Sequence, residues 1–306
     1  MKHRIVMLAG LAALWPALVP STGHAGSSEG GAFRLPGYGA RAWGMAGAAI
    51  VIVDDESAVD WNPAGLASAP RSAGVSYQSL VPGISIGESQ AVFLMPLGSS
   101  RVENTSTHVV GAMFTNLSAD VVGGESYHEN HLRVAYALTP EPLVTVAIAA
   151  QLFTSSSGVA GFDALGSSID FAGRLALSQN WKFAFVARDA FSRYSYDDGH
   201  DYQLAREYVV GLASHSIQRV AIEADAVRSY GSWSRAMIGA ESDYLFAHVA
   251  LRGGVALLRA GDTRTVPSFG ASARAFAGRV TLHYAASFDD AEAFGTTHRV
   301  SLGIRL

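Results

Sequence analysis

An all-β transmembrane antiparallel barrel of about fourteen strands, with an N-terminal segment folded into its lumen as a plug, is the fold class predicted by this 306-residue sequence. Three observations carry that expectation. From Ser72 onward apolar side chains recur with a period of two, so that each segment has one apolar face and one small or polar face. The connections between these segments alternate between short and long, as a barrel with short turns at one end and longer loops at the other requires. Hydrophobic residues make up 49 % of the chain and charged residues 16 %, a greasy balance that a lipid-facing exterior explains.

The chain opens with Lys2, His3 and Arg4, continues through an apolar run from Ile5 to about Val19 and reaches the small-residue pattern Gly23-His24-Ala25. This reads as a secretory signal peptide over 1–25, cleaved after Ala25. A membrane anchor is the alternative, but Pro16 breaks the run, which is shorter than the roughly 20 residues a spanning helix needs. Beyond it no uncharged apolar stretch approaches that length; the longest, Met45 to Val53, ends in Asp54-Asp55-Glu56. The chain has no cysteine, which excludes a disulfide framework and a Cys-based metal site. A net charge of −4 with no Lys/Arg cluster excludes nucleic acid as a partner.

Residues 26–70 show no strand-like alternation, and a structureless stretch of that length is unusual in a compact domain. A plug inside the barrel accounts for it, because the many Gly and Ala residues between Gly37 and Ala49 permit close backbone approach in a confined lumen. Asn62 before Pro63 reads as an N-cap followed by the residue best suited to a first helical position, with Ala64 to Ala67 as one helical turn. Asp54, Asp55 and Glu56 either favour a helix N-terminus through its dipole or anchor the plug by pairing with inward arginines such as Arg252, Arg299 or Arg305. Anchoring is preferred, since an unpaired carboxylate is costly to bury, and Arg41 is a further candidate for the same network that the sequence alone does not place in it.

The barrel is expected over 71–306, with strands near 72–80, 84–96, 107–117, 128–138, 143–154, 168–178, 181–190, 205–214, 218–228, 235–244, 246–258, 267–277, 280–288 and 297–306. In the last of these Val300, Leu302, Ile304 and Leu306 point one way and Arg299, Ser301, Gly303 and Arg305 the other. The same pattern sets Leu132, Val134 and Tyr136 against His131, Arg133 and Ala135, and Val220 and Ile222 against Glu223 and Asp225. Charged residues thus fall on the inward face. The 97–106 connection is longer than a short-end turn should be. A soluble β-sandwich would also alternate, but it would have to keep its second face wet, and here that face is mostly Ala, Gly and Ser.

Gly37 to Ala67, with the acidic pair Asp54-Asp55 and the turn Asn62-Pro63-Ala64-Gly65, resembles the N-terminal signature shared by FadL-type outer-membrane transporters and the related PorV/PorQ proteins. The run Gly39-Ala40-Arg41-Ala42-Trp43-Gly44-Met45-Ala46-Gly47 is closer to the PorV/PorQ side. The last strand is similar to the C-terminal signal for outer-membrane insertion, although an aromatic final residue is commoner than Leu306. The resemblance implies location in the outer membrane of a Gram-negative-type bacterium, in contact with its lipid, and passive transport of hydrophobic small molecules, long-chain fatty-acid-like, with no cofactor. It implies a hatch or gate built from Arg41, Asp54, Asp55, Asn62, Pro63, Ala64 and Gly65; a rigid turn that seats the plug is the alternative reading of Asn62 to Gly65. It also implies a kink in the third strand as a lateral opening, for which Gly111 is the candidate. The second and third strands carry apolar residues on both faces, and Phe93, Met95, Val110 and Phe114 are assigned to a hydrophobic path. The PorV/PorQ side implies a different role, docking or shuttling for a protein secretion system and its proteins.

No metal or catalytic site is expected. His128 and His131 face opposite sides of a strand, the Asp197 to Asp201 loop lacks the ligand spacing of a calcium loop, and Ser and His are scattered without a nucleophile elbow.

Overall fold

The computed structural model describes residues 37–79, 86–98, 101–102, 105–120, 126–157, 163–197, 199, 201–229, 231–246, 248–260, 262–289 and 295–306. The signal-peptide reading of 1–25 and the part of the plug before Gly37 lie outside these residues. Fourteen long strands form the wall: β1 Ser72–Ser79, β2 Ile86–Pro96, β3 His108–Asp120, β4 Ser126–Glu141, β5 Val144–Ser157, β6 Ala164–Ala176 and β7 Trp181–Tyr196. The other half is β8 Glu207–Ile217, β9 Val220–Ser229, β10 Ser232–Phe246, β11 Val249–Ala260, β12 Asp262–Ala275, β13 Val280–Phe288 and β14 Thr296–Arg305. Each expected strand is present, most of them longer than the alternation alone indicated. Every strand pairs antiparallel with its neighbours, and β14 pairs with β1 from Ser72↔Arg305 to Ser79↔His298, which closes the sheet. Closure leaves no sheet edge, the condition for a strand structure to sit in hydrocarbon. The 97–106 connection contains a two-residue bridge, Arg101–Val102 against Thr105–Ser106, so it is a small hairpin of its own.

The plug fixes which face is inward. A side chain placed at Gly74 would strike Tyr38 of the plug, and one at Gly111 would strike Val59. The alternate residues therefore point out, and these include Val75, Tyr77, Val134, Leu152, Ile238 and Val300, all large, apolar and exposed. The inward set includes Glu88, Arg133, Asp170, Glu223, Asp225, Arg252 and Arg299, all buried. This is the inverse of a soluble protein: the apolar face meets the surroundings and the polar face is enclosed. It is the pattern of a transmembrane barrel.

Residues 37–69 fill the lumen. One helical turn, Ala40–Trp43, packs against β12 to β14. A second, Ala58–Trp61, lies against β3 and β4, and a 3₁₀ helix, Pro63–Ser68, lies against β3 to β6. Between them Met45 to Val53 is entirely buried. Its close fit requires glycine on the wall: a Cβ at Gly254 would approach the Met45 carbonyl to 2.4 Å and one at Gly239 would approach the Met45 side chain to 2.7 Å.

Candidate functional site

Two polar devices bind residues 38–56 to the wall. In the first, two carboxylates two residues apart on β9 accept four consecutive backbone N–H groups. Glu223 takes those of Val51 (2.6 Å) and Ile52 (3.0 Å), and Asp225 takes those of Ala49 (3.0 Å) and Ile50 (3.3 Å). These donors have no strand or helix of their own, so the carboxylates meet the requirement that buried N–H groups find acceptors. In the second, Arg41 bridges plug and wall. It donates to Asp54 (2.6 Å) and Asp55 (2.7 Å) within the plug and makes a two-pronged pair with Glu241 of β10 at 2.9 and 2.7 Å. Glu241 also accepts from Arg252, which reaches Ser272, and Ser272 contacts His283.

Asp54 and Asp55 are thus anchored, but through Arg41 and not directly by Arg252, Arg299 or Arg305 as the strand faces suggested. Arg299 instead donates to Gln78 and lies over the Trp43 ring, 3.7 Å from its centroid. Burial alone would raise the Asp55 carboxyl, but the Arg41 charge outweighs it and holds the group at about 2. Burial would likewise lower Arg41, and Glu241, Asp54 and Asp55 raise it above its ordinary value. Glu56, buried against Gly74 and Gly303, is pushed up to about 8, first by burial and then by the neighbouring Asp55 charge.

The Asn62-Pro63-Ala64-Gly65 turn is a pinned corner. Asn62 accepts from the Ala64 N–H (2.9 Å) and donates to the Ile50 carbonyl (2.6 Å). Pro63 opens the 3₁₀ helix, which is longer than the single helical turn expected over Ala64 to Ala67. A Cβ at Gly65 would come within 2.6 Å of the Val53 carbonyl oxygen. Residues 57–69 meet the wall differently. Val59, Ala64 and Leu66 share one apolar cluster with Val92, Leu94, Val109, Met113, Ala135 and Ala137. Their polar ties run to three arginines: Arg133 to the Val59 carbonyl (2.8 Å) and to Asp60 (3.6 Å), Arg188 to the Trp61 carbonyl (3.2 Å), and Arg174 to Ser68.

The path assigned to Phe93, Met95, Val110 and Phe114 does not exist as a lumen lining. Val92 pairs with inward Gly74 and Leu94 with inward Gly111, so Phe93 and Met95 face out, as do Val110 and Phe114 on β3. Phe93, Met95 and Phe114 are 39 %, 38 % and 45 % exposed on the lipid side. The apolar inner face of the same two strands is Val92, Leu94, Val109, Met113 and Leu117. Nor is there a kink at Gly111: the ladders of β3 to β2 and to β4 run through it unbroken. The wall is irregular elsewhere, and among its register shifts is one where Arg188, Asp189 and Ala190 of β7 bulge opposite Asp170 of β6. Asp189 has φ 52°, its N–H donates to Asp170 (2.7 Å), and Asp170 also pairs with Arg133 (2.6 Å). Beyond Arg188↔Glu207 the β7 to β8 ladder stops.

Two cavities flank the plug. An inner one of ≈ 320 Å³ opens at the short-turn end between Arg41, Glu56, Arg219, Asp243, His283 and Arg305. An outer one of ≈ 120 Å³ lies toward the long connections and reaches the β7 bulge at Arg188 and Asp189. His131 lines the outer cavity while His128 is on the opposite face. Asp201 is engaged by Arg193 (2.6 Å); Asp198 and His200 lie outside the described residues. The alternation places Glu223 and Asp225 on the inward face without showing their partners, and Asp170 carries no such signal. The pair Glu223-Ala-Asp225, two carboxylates on one inward face, was the available signal.

No family model matches this chain, and no curated protein does. Solved structures do share the fold. A Pseudomonas aeruginosa FadL homologue superposes with a TM-score of 0.63 at 11 % identity, over 89 % of this chain and 99 % of that one. The CymD monoaromatic hydrocarbon channel gives 0.65 at 13 %, over 90 % and 99 %. The Pseudomonas putida toluene transporter TodX gives 0.60 at 14 %, over 87 % and 96 %. At these identities the likeness establishes a FadL-type barrel.

Proposed function

We propose that this chain is an outer-membrane channel for passive transport of small hydrophobic molecules, long-chain fatty-acid-like or hydrocarbon-like, opened by displacement of residues 57–69 as a hatch. Residues 1–25 would direct export and be removed. One observation carries the reading: cavities stand on both faces of the plug, and residues 57–69 meet the inner faces of β2 to β4 mainly through apolar side chains, with Arg133 the polar exception. Apolar surfaces part without leaving hydrogen bonds unmade. A hydrophobic solute can also replace the contact that is lost. The FadL-type neighbours described as hydrocarbon channels support the same class of cargo. A second reading, docking of secretion-system proteins by a permanently shut barrel, is favoured by the polar attachment of residues 38–56.

The two readings separate in one experiment. The absence of native cysteine allows Val59→Cys and Gly111→Cys to be introduced as a pair, across a contact where a Cβ at 111 would sit 2.5 Å from a Val59 methyl. Uptake of a long-chain fatty acid and of toluene is then measured in liposomes for wild type, Asn62→Ala, Gly65→Pro and the cysteine pair. Saturable uptake that oxidation of the pair stops and reduction restores supports the hatch. Equal uptake by oxidised and reduced protein excludes it, and no uptake by folded wild type leaves the docking reading.

A further inference from the structure

Trp61 sits in a slot that the other half of the plug builds around it. The residue is 6 % exposed. Its Nε1 donates to the Tyr38 carbonyl (2.9 Å), its ring meets Trp43 edge to face with centroids 5.8 Å apart, and the Arg188 guanidinium of β7 lies 5.9 Å from its centroid. Two glycines make the room. Gly37 (φ 36°) and Gly47 (φ 82°) have the left-handed backbone that favours glycine. A Cβ on Gly37 would overlap the Trp61 ring, and one on Gly47 would come within 3.4 Å of it. The slot thus offers an indole a carbonyl for its N–H, an aromatic neighbour and a cation for its π system, and glycine backbone against its flat ring.

The parts of the slot and the ring that fills it belong to different pieces of the molecule. Gly37, Tyr38, Trp43 and Gly47 go with the polar half of the plug, where the Ala40 N–H is held by Ser301 (3.0 Å) and the Trp43 ring lies under Arg299 (3.7 Å). Arg188 belongs to the wall and is paired with Glu207 (3.5 Å). Only the Trp61 ring is carried by residues 57–69. Displacement of that segment withdraws the ring and leaves the slot standing, with a buried carbonyl that has lost its donor and a guanidinium that has lost its π face. Both losses are costly. Trp61 and Gly37 also line the outer cavity, so the vacated slot opens toward the long connections.

We propose that this slot is a binding site for a flat bicyclic aromatic that carries an N–H donor, the indole class, and that such a cargo exchanges with Trp61. The arriving ring takes the volume of the departing one, so the exchange needs no larger cavity. Its N–H donates to the Tyr38 carbonyl, and its π system meets Trp43 and Arg188. A saturated chain would refill the volume and restore none of these three contacts. The inference deepens the channel reading, on which it rests for the displacement of residues 57–69, and names a cargo class within it.

The test is equilibrium dialysis of indole, naphthalene and dodecane against the full chain in lipid nanodiscs, with binding to empty nanodiscs subtracted. Indole should bind wild type about tenfold more tightly than naphthalene, which is flat and bicyclic but leaves the Tyr38 carbonyl without a donor. Trp61→Ala removes the competing ring and should tighten indole about tenfold, because the slot no longer has to be vacated. Trp61→Phe, a smaller ring without the N–H, should act in the same direction and serves if the first variant does not fold. Naphthalene binding as tightly as indole, indole affinity that neither Trp61 variant raises, or indole held by Trp61→Ala but not by wild type overturns the slot as a cargo site. Liposome uptake of all three probes without indole preference would discard the slot and keep the channel. Indole-selective binding that Trp61→Ala tightens, with no liposome uptake of any probe, would keep the slot and discard the channel.

Discussion

The two halves of the plug share one apolar cluster with the wall and differ in how their polar groups are tied to it. Residues 38–56 are bound to β9, β10 and β14 through charges and hydrogen bonds: Arg41 with Glu241, four backbone N–H groups on Glu223 and Asp225, and the Ala40 N–H on Ser301 (3.0 Å). Residues 57–69 rest on β2 to β5 mainly through Val59, Ala64 and Leu66. Polar contacts are directional and leave costly orphans when broken, whereas apolar contacts are non-directional and can be re-formed with another apolar surface. A plug that moves would pivot on the first half and part from the wall at the second. Both halves meet at Asn62, whose side chain ties the Ile50 carbonyl to the start of the 3₁₀ helix.

The largest effect should come from the polar half. Arg41→Met leaves Asp54 and Asp55 without their cation and Glu241 with Arg252 alone, and should cost about 3–5 kcal/mol, the range for removing one partner of a largely buried ion pair. Hydrogen exchange read by mass spectrometry should show faster exchange over 38–56, with the barrel strands unchanged. Leu66→Ala, at a fully buried position, should cost about 2–4 kcal/mol from lost contacts and the cavity left behind, and should loosen 57–69 first. Equal loosening of both halves by either variant would show that the plug moves as one body and would break the comparison.

A smaller effect should follow Glu223→Gln, which keeps one accepting oxygen but turns the other toward Val51 or Ile52 as an NH2 donor, and should cost about 1–2 kcal/mol. Protection of those two amides is the readout. The smallest is a pH dependence. A seated Glu56 titrates at about 8 against an ordinary value of 4.5, so the seated plug holds a proton that the released plug gives up. Its seating is therefore unpenalised below 4.5 and weakens as pH rises from 4.5 to about 8. Asp55 acts in the opposite sense in a separate window. Its contribution is complete above 3.8 and lost as pH falls toward 2. Between pH 5 and pH 9 protease resistance of residues 38–56 should fall in wild type and fall less in Glu56→Gln. A wild-type profile that does not fall over that range removes Glu56 from the energetics of seating.

The barrel was legible because its signal is local. A strand that faces lipid on one side and a lumen on the other must alternate, and that alternation marks the direction of Val300 or Arg299 without knowledge of any neighbour. The same rule should have excluded Phe93, Met95 and Phe114 from the lumen. Apolar residues on both faces of β2 and β3 obscured it, since only the registers Gly74↔Val92 and Leu94↔Gly111 show which face the plug covers. The Asn62 cap was legible for the same local reason.

By itself, then, the sequence determined the strand number, the facing of most side chains, the acidic pair and the Asn62-Pro63 corner, all consequences of periods and caps a few residues long. Only the tertiary structure decided that Arg41, and not a wall arginine, answers Asp54 and Asp55, and that Glu223 and Asp225 receive the backbone of Ala49 to Ile52. It also decided that β7 bulges at Asp189 while the ladders run unbroken through Gly111. Those choices join residues as many as 200 positions apart, across a lumen whose closure sets which charges come within reach, and no local period records such a distance.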